Sequence, residues 1–180
     1  MMKPLIICVI GRKGAGKTTL IEALTRDLVN SGIRVSVLKH IHHDNFDVDI
    51  RGKDTWRFSK AGAETVIGMS KTKLFMVKQL SDYSANNYPD MDVIKLMERL
   101  IWNSDIIFVE GFKYSLGKSR DIHKIIIVRN NDEIKELLEI ASEPILGIYT
   151  YRTEVKSDLI ISYDELKRKI MELLKHREKA

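Results

Sequence analysis

Leu5-Ile6-Ile7-Cys8-Val9-Ile10-Gly11-Arg12-Lys13-Gly14-Ala15-Gly16-Lys17-Thr18-Thr19-Leu20 is the stretch that decides the fold. Its first six residues form an unbroken apolar run, too short for a helix of ordinary length and suited to a strand buried on both faces. Gly11 to Thr18 then fit the pattern G-x-x-x-x-G-K-[ST], the P-loop. Beyond it Leu20, Ile21, Leu24 and Leu28 recur at helical spacing, which predicts a helix of about 14 residues stopped by Gly32. The motif therefore stands between a strand and a helix, the context that makes it specific. Glycines let the backbone curl so that successive N–H groups face phosphate oxygens, above the positive end of a helix dipole. Gly11, Lys13, Gly14, Ala15, Gly16, Lys17 and Thr18 are thus the expected triphosphate contacts. Lys17 is expected to reach the β- and γ-phosphates, and Thr18 to offer its hydroxyl to Mg²⁺.

Working outward, apolar strands alternate with helical patterns. Strands are predicted at Arg34–His40, Ile106–Val109, Lys124–Arg129, Ile145–Thr150 and Asp158–Ile161. Helices are predicted from Asp54 to about Gly62, along Val93, Ile94, Met97, Leu100 and Ile101, and at Asp132–Ala141. Glu64–Ser70 and Lys73–Val77 read as two short strands of a hairpin, and Gln79 to Pro89 as a loop. Ser162 followed by Glu165 is a capping-box pattern that opens a last helix. Parallel strands need crossovers to return to the same end, so this alternation implies a three-layer α/β/α sandwich, a P-loop NTPase fold with a mostly parallel sheet and an antiparallel hairpin. At 180 residues the expectation is one domain. Ligands of such sheets lie at the carboxyl ends of the strands, which directs attention to the loops after residues 10, 39 and 109.

A P-loop needs an acidic group at the end of a neighbouring strand to hold its metal. Glu110 is the candidate, since it ends Ile106-Ile107-Phe108-Val109 and is followed by glycine. The second loop carries Lys39, His40, His42, His43, Asp44, Asp47, Asp49, Arg51, Lys53 and Asp54. Asp54 is favoured as a further metal-side carboxylate because it begins a short helix. The three histidines suit zinc by ligand type, but without a nearby cysteine they are explained as well by lining a nucleotide or partner site. No residue is assigned a catalytic role.

Hydrophobic residues at 44% and charged residues at 31% place the chain among soluble globular proteins. The run Leu5 to Ile10 is far below a membrane span and no small-residue cleavage site follows it, so a cytoplasmic protein is expected. The single cysteine, Cys8, excludes an internal disulfide and reads as a buried core thiol. A net charge of +5 suits an anionic partner, while aromatics at 7% with no regular basic interleaving argue against nucleic acid.

Lys39-His40 with His43 and Asp44, Gly52-Lys53-Asp54-Thr55-Trp56-Arg57, Ala61-Gly62-Ala63 and Glu110-Gly111-Phe112-Lys113 together resemble the molybdopterin-guanine dinucleotide biosynthesis protein B family, MobB. The likeness runs from about residue 5 to residue 129. It implies a GTP-binding adaptor with weak GTPase activity that assists attachment of a guanine nucleotide to the molybdenum cofactor. Implied with it are GTP and Mg²⁺ as cofactors, the nucleotidyltransferase and related cofactor-maturation enzymes as partners, and a homodimer. Carried over by the resemblance, Gly14, Gly16, Lys17, Thr18 and Thr19 contact phosphates and Mg²⁺, and Asp54 and Glu110 serve the metal. The chain departs from the family pattern at His123-Lys124-Ile125-Ile126, where a Pro-Lys-Ile-Glu run is usual, and at Arg51, where proline is common.

The guanine-reading run N-K-x-D or T-K-x-D is absent, so the residues alone also allow ATP; the residues around Tyr151 and Arg152, after the strand ending at Thr150, are candidate base contacts by position only. The rival reading is an ATP-dependent small-molecule kinase or synthetase of the dethiobiotin-synthetase-like type, with His40 or Asp44 as base.

Overall fold

The computed structural model of the chain describes residues 3–41, 47–78, 93–95, 97, 101 and 103–177. It divides into a main unit, residues 1–40 with 89–180, and an inserted unit, residues 41–88.

In the main unit five parallel strands form one sheet in the order β2-β5-β1-β6-β7. They are β1 (Leu5–Ile10), β2 (Val35–Lys39), β5 (Ile106–Glu110), β6 (His123–Ile127) and β7 (Ile145–Tyr149). The central strands read as continuous apolar runs because both faces are covered, as parallel sheets require. On one face Leu5, Ile7, Val9, Ile106, Phe108, Ile125 and Ile127 pack against α1 (Lys17–Asn30) and the last helix, α5 (Tyr163–Arg177). The four apolar residues predicted to line α1, Leu20, Ile21, Leu24 and Leu28, are all buried there. Burying each such side chain contributes about 1.5–3 kcal/mol. The opposite face buries Cys8, Ile10, Ile107, Val109 and Ile126. A one-turn helix α3 (Lys113–Leu116) contacts β1, and α4 (Asp132–Ile140) joins it where Ser142 N donates to the Gly117 carbonyl at 2.8 Å.

Ser162 Oγ accepts from Glu165 N at 3.1 Å, so the predicted cap opens α5, while the Glu165 carboxylate lies 3.6 Å from Lys169 one turn on. Cys8 is the buried core thiol expected of it. Burial pushes its pKa up to about 12, against a smaller opposing pull from Lys124. A thiolate-directed disulfide reagent is therefore expected to leave Cys8 untouched in native buffer and to label it fully in denaturant; prompt labelling of the folded protein would contradict this placement.

The inserted unit holds α2 (Asp54–Lys60) and the antiparallel pair β3 (Thr65–Met69) and β4 (Leu74–Lys78). The expected hairpin is present, its turn closed by Ser70 N donating to the Lys73 carbonyl at 2.7 Å.

Two expectations need correction. Asp158–Ile161 is not a strand. A tight turn, in which Ile160 N donates to the Ser157 carbonyl at 3.0 Å, leaves one isolated parallel bridge between Ile148 and Ile160. The four-residue helix α3, which the sequence reading lacked, follows β5 directly, with Phe112 left-handed at φ 54° before it. Of the predicted helix at 93–101, residues 93–95 and 97 are helical, with Val93 and Met97 buried. The predicted loop at 79–89 lies outside the described residues.

Candidate functional site

The strand order brings the predicted loops together. Because β5 lies between β1 and β2, Glu110 pairs in register with Val9 on one side and Lys39 on the other. The P-loop leaves β1 one residue later. Gly14 and Gly16 hold φ of 76° and 96°, conformations that cost an L side chain and that fold the loop back over the start of α1. Gly16 caps α1 without a side-chain hydrogen bond, so the first-turn N–H groups are available to an anion. A Cβ on Gly16 would also lie 2.6 Å from the Tyr151 ring, so only glycine lets that ring rest on the loop.

The Lys17 ammonium arches back over the loop, donating to the carbonyls of Gly11 at 3.0 Å and Arg12 at 2.8 Å. Burial lowers its pKa below the ordinary lysine value. Glu110 opposes that shift, while the neighbouring ammonium groups of Lys113 and Lys39 add to it. Three lysines from three segments therefore share one electropositive corner, a field suited to a polyanion. Thr18 Oγ1 donates to both Glu110 oxygens, at 3.1 and 3.0 Å, and Lys39 Nζ lies 3.3 Å from Glu110 Oε2. A hydroxyl and a carboxylate side by side are hard oxygen donors, the set that Mg²⁺ takes beside a nucleotide. His40 stacks on Phe112 with ring centroids 4.6 Å apart, above Gly111, where a Cβ would meet His40 Cβ at 2.5 Å.

The residues expected at the phosphates, Gly11, Lys13, Gly14, Ala15, Gly16, Lys17, Thr18 and Thr19, thus form one turn of loop and helix, with Glu110 beside Thr18. Asp54 belongs to the inserted unit, where it begins α2 with its side chain 83% exposed and lies 3.8 Å from Arg57. His42, His43 and Asp44 lie outside the described residues. Among the described residues no group of three or more His, Cys, Asp or Glu side chains converges as a metal site.

Sequence reasoning missed a second layer behind the loop. Arg12, an unspecified position of the motif, pairs with Glu136 of α4, and its Nε lies 3.9 Å from Glu133. Glu133 is 2% exposed and accepts three hydrogen bonds from Arg129: backbone N at 2.9 Å, Nε at 2.8 Å and Nη2 at 2.5 Å. The only signal was the Arg129/Glu133 spacing of four residues, which on a helix usually marks a solvated pair.

Sheet order, loop geometry and the adjoining carboxylate define a nucleotide-binding protein of the P-loop NTPase fold, which implies a nucleotide held with Mg²⁺. Residues 6–150 match the family described as molybdopterin guanine dinucleotide synthesis protein B, and the chain belongs to that family. It is 34% identical over 156 residues to the molybdopterin-guanine dinucleotide biosynthesis adapter protein of Haemophilus influenzae, covering 86% of this chain and 80% of that protein. It is 36% identical over 118 residues to the adapter protein of the same description from Escherichia coli, covering 65% of this chain and 61% of that protein. A crystal structure of molybdopterin-guanine biosynthesis protein B superposes with a TM-score of 0.68 at 26% identity, over 95% of this chain and 99% of that one. Among the described residues no helix is long and apolar enough to cross a membrane.

Proposed function

We propose that this chain is a GTP-binding adaptor in molybdopterin guanine dinucleotide biosynthesis, hydrolysing GTP slowly. It works in the cytoplasm as a homodimer, alongside the nucleotidyltransferase that attaches the guanine nucleotide. The observation that carries the reading is the bonded pair Thr18 and Glu110 at the mouth of a P-loop, in a chain of this family. Gly11 to Thr19 hold the phosphates, Lys17 exchanging its two carbonyl partners for phosphate oxygens. Thr18 and Glu110 serve Mg²⁺, which when bound neutralises phosphate charge; Asp54 is a third metal-side candidate on sequence grounds.

Slow hydrolysis fits the neighbouring groups. A base for water must be free to accept a proton within hydrogen-bond reach. Among the described residues Glu110, the carboxylate beside the P-loop, is already committed to Thr18 and Lys39. The chain loaded with GTP and Mg²⁺ is expected to retain a purified molybdopterin nucleotidyltransferase on a column, with GTP turnover well below the roughly 1–10³ s⁻¹ of ordinary enzymes. Failure to retain it, together with turnover in that range on a small-molecule acceptor, would replace the adaptor with a kinase or synthetase.

A further inference from the structure

The main unit carries a cleft of about 260 Å³ that begins at the P-loop and extends past it to Arg129, Tyr151 and Arg152. Gly14, Gly16 and Thr19 line it together with Arg129, Tyr151 and Arg152. Pockets for whole drug-sized ligands run to roughly 300–1,000 Å³, so this one suits a single ring system extending from a phosphate chain. Two of its side chains, Tyr151 and Arg129, are held in place. The Tyr151 ring lies against Gly16 and meets Tyr149 edge-on with centroids 5.0 Å apart. Arg129 is fixed by buried Glu133, whose Oε2 accepts the Arg129 backbone N–H and whose Oε1 accepts Nε and Nη2.

The chemistry of that pair has a direction. Both oxygens of Glu133 are occupied, so the carboxylate has been spent on orienting the arginine. Burial pushes its carboxyl up, but the Arg129 hydrogen bonds and the charges of Arg129 and Arg12 outweigh this and hold it below the ordinary carboxylate value, keeping it ionised. What remains to face a ligand is the cation. Guanidinium groups donate and never accept, and the two charged residues lining the cleft, Arg129 and Arg152, are both arginines. Guanine presents two adjacent acceptors, O6 and N7, whereas adenine presents N7 beside an amino donor. A guanidinium fork, which only donates, therefore favours guanine over adenine, whose amino group offers it no acceptor.

We propose that Arg129, oriented by Glu133, reads the O6/N7 edge of a guanine lying beside Tyr151, and is the residue that sets GTP above ATP. The proposal rests on the phosphate-site reading above and adds the base. It differs from recognition by a carboxylate, which would accept from the N1 and N2 hydrogens of guanine. Inosine separates the two, since its base keeps O6 and N7 and lacks the 2-amino group.

The test is calorimetric titration of the intact protein, with Mg²⁺ throughout, by inorganic tripolyphosphate, GTP, ITP and ATP, repeated on Arg129→Lys. That variant keeps the charge and loses the planar fork. In the wild type GTP and ITP are expected to bind alike and ATP about tenfold more weakly, a difference in the range of one bidentate base contact. In Arg129→Lys, the affinities of GTP and ITP, each read relative to tripolyphosphate on the same variant, are expected to fall to the level of ATP. ITP binding as weakly as ATP to the wild type would overturn the proposal without recourse to any variant. So would a preference for GTP that survives in Arg129→Lys. Failure of tripolyphosphate and of every nucleotide to bind would instead overturn the phosphate-site reading.

Discussion

Lys17→Ala is expected to abolish binding of a nonhydrolysable GTP analogue while leaving the melting temperature close to that of the wild type. The ammonium is directed into the P-loop, bonded to the carbonyls of Gly11 and Arg12, and shares its corner with Lys39 and Lys113. Hydrogen bonds to charged groups contribute about 1.5–3 kcal/mol each. Two of them, to β- and γ-oxygens, amount to roughly 3–6 kcal/mol, or about two to four decades of affinity. The fold loses little, because Lys17 contributes no apolar side chain to the core that α1 buries through Leu20, Ile21, Leu24 and Leu28. Equilibrium dialysis with the labelled analogue makes the comparison. Unchanged affinity would remove the P-loop assignment, since the remaining lysines would then be sufficient.

Glu110→Gln keeps the shape of the side chain and removes its charge. With Mg²⁺ present, affinity for the triphosphate is expected to fall about tenfold or more, because a neutral amide is a poor partner for a hard divalent cation. Without Mg²⁺ the same substitution is not expected to weaken binding, because the Glu110 side chain bonds Thr18 and Lys39 and its own charge opposes a triphosphate. The contrast between the two conditions is the readout. Equal loss in both would mean that Glu110 supports the loop through Thr18 and has no part in holding a metal.

The site was legible where its signal is local. Gly11 to Thr18 carry their meaning in eight consecutive residues, and the helix after them announces its buried face by spacing. Glu110 was also legible, because an apolar strand ending on a carboxylate is rare in this chain. Its bond to Thr18 spans 92 residues and depends on β5 inserting between β1 and β2, which no local pattern reveals. The helix α3 escaped because one turn is too short to show a period. Leu159-Ile160-Ile161 misled for the opposite reason, since a three-residue apolar run looks alike in a strand and in a turn that faces the core. Glu133 has nothing in the sequence to single it out among the charges of the predicted helix Asp132–Ala141. Only the convergence of Arg129 and Arg12 on it makes its burial intelligible.

Calorimetric titration of the wild-type protein with GTP and with ATP, each in the presence and absence of Mg²⁺, decides whether this chain is a GTP-binding protein. GTP is expected to bind more tightly than ATP, and Mg²⁺ to strengthen the binding, through the P-loop and Glu110. Binding of ATP as tight as that of GTP, or no heat with either nucleotide, would contradict it.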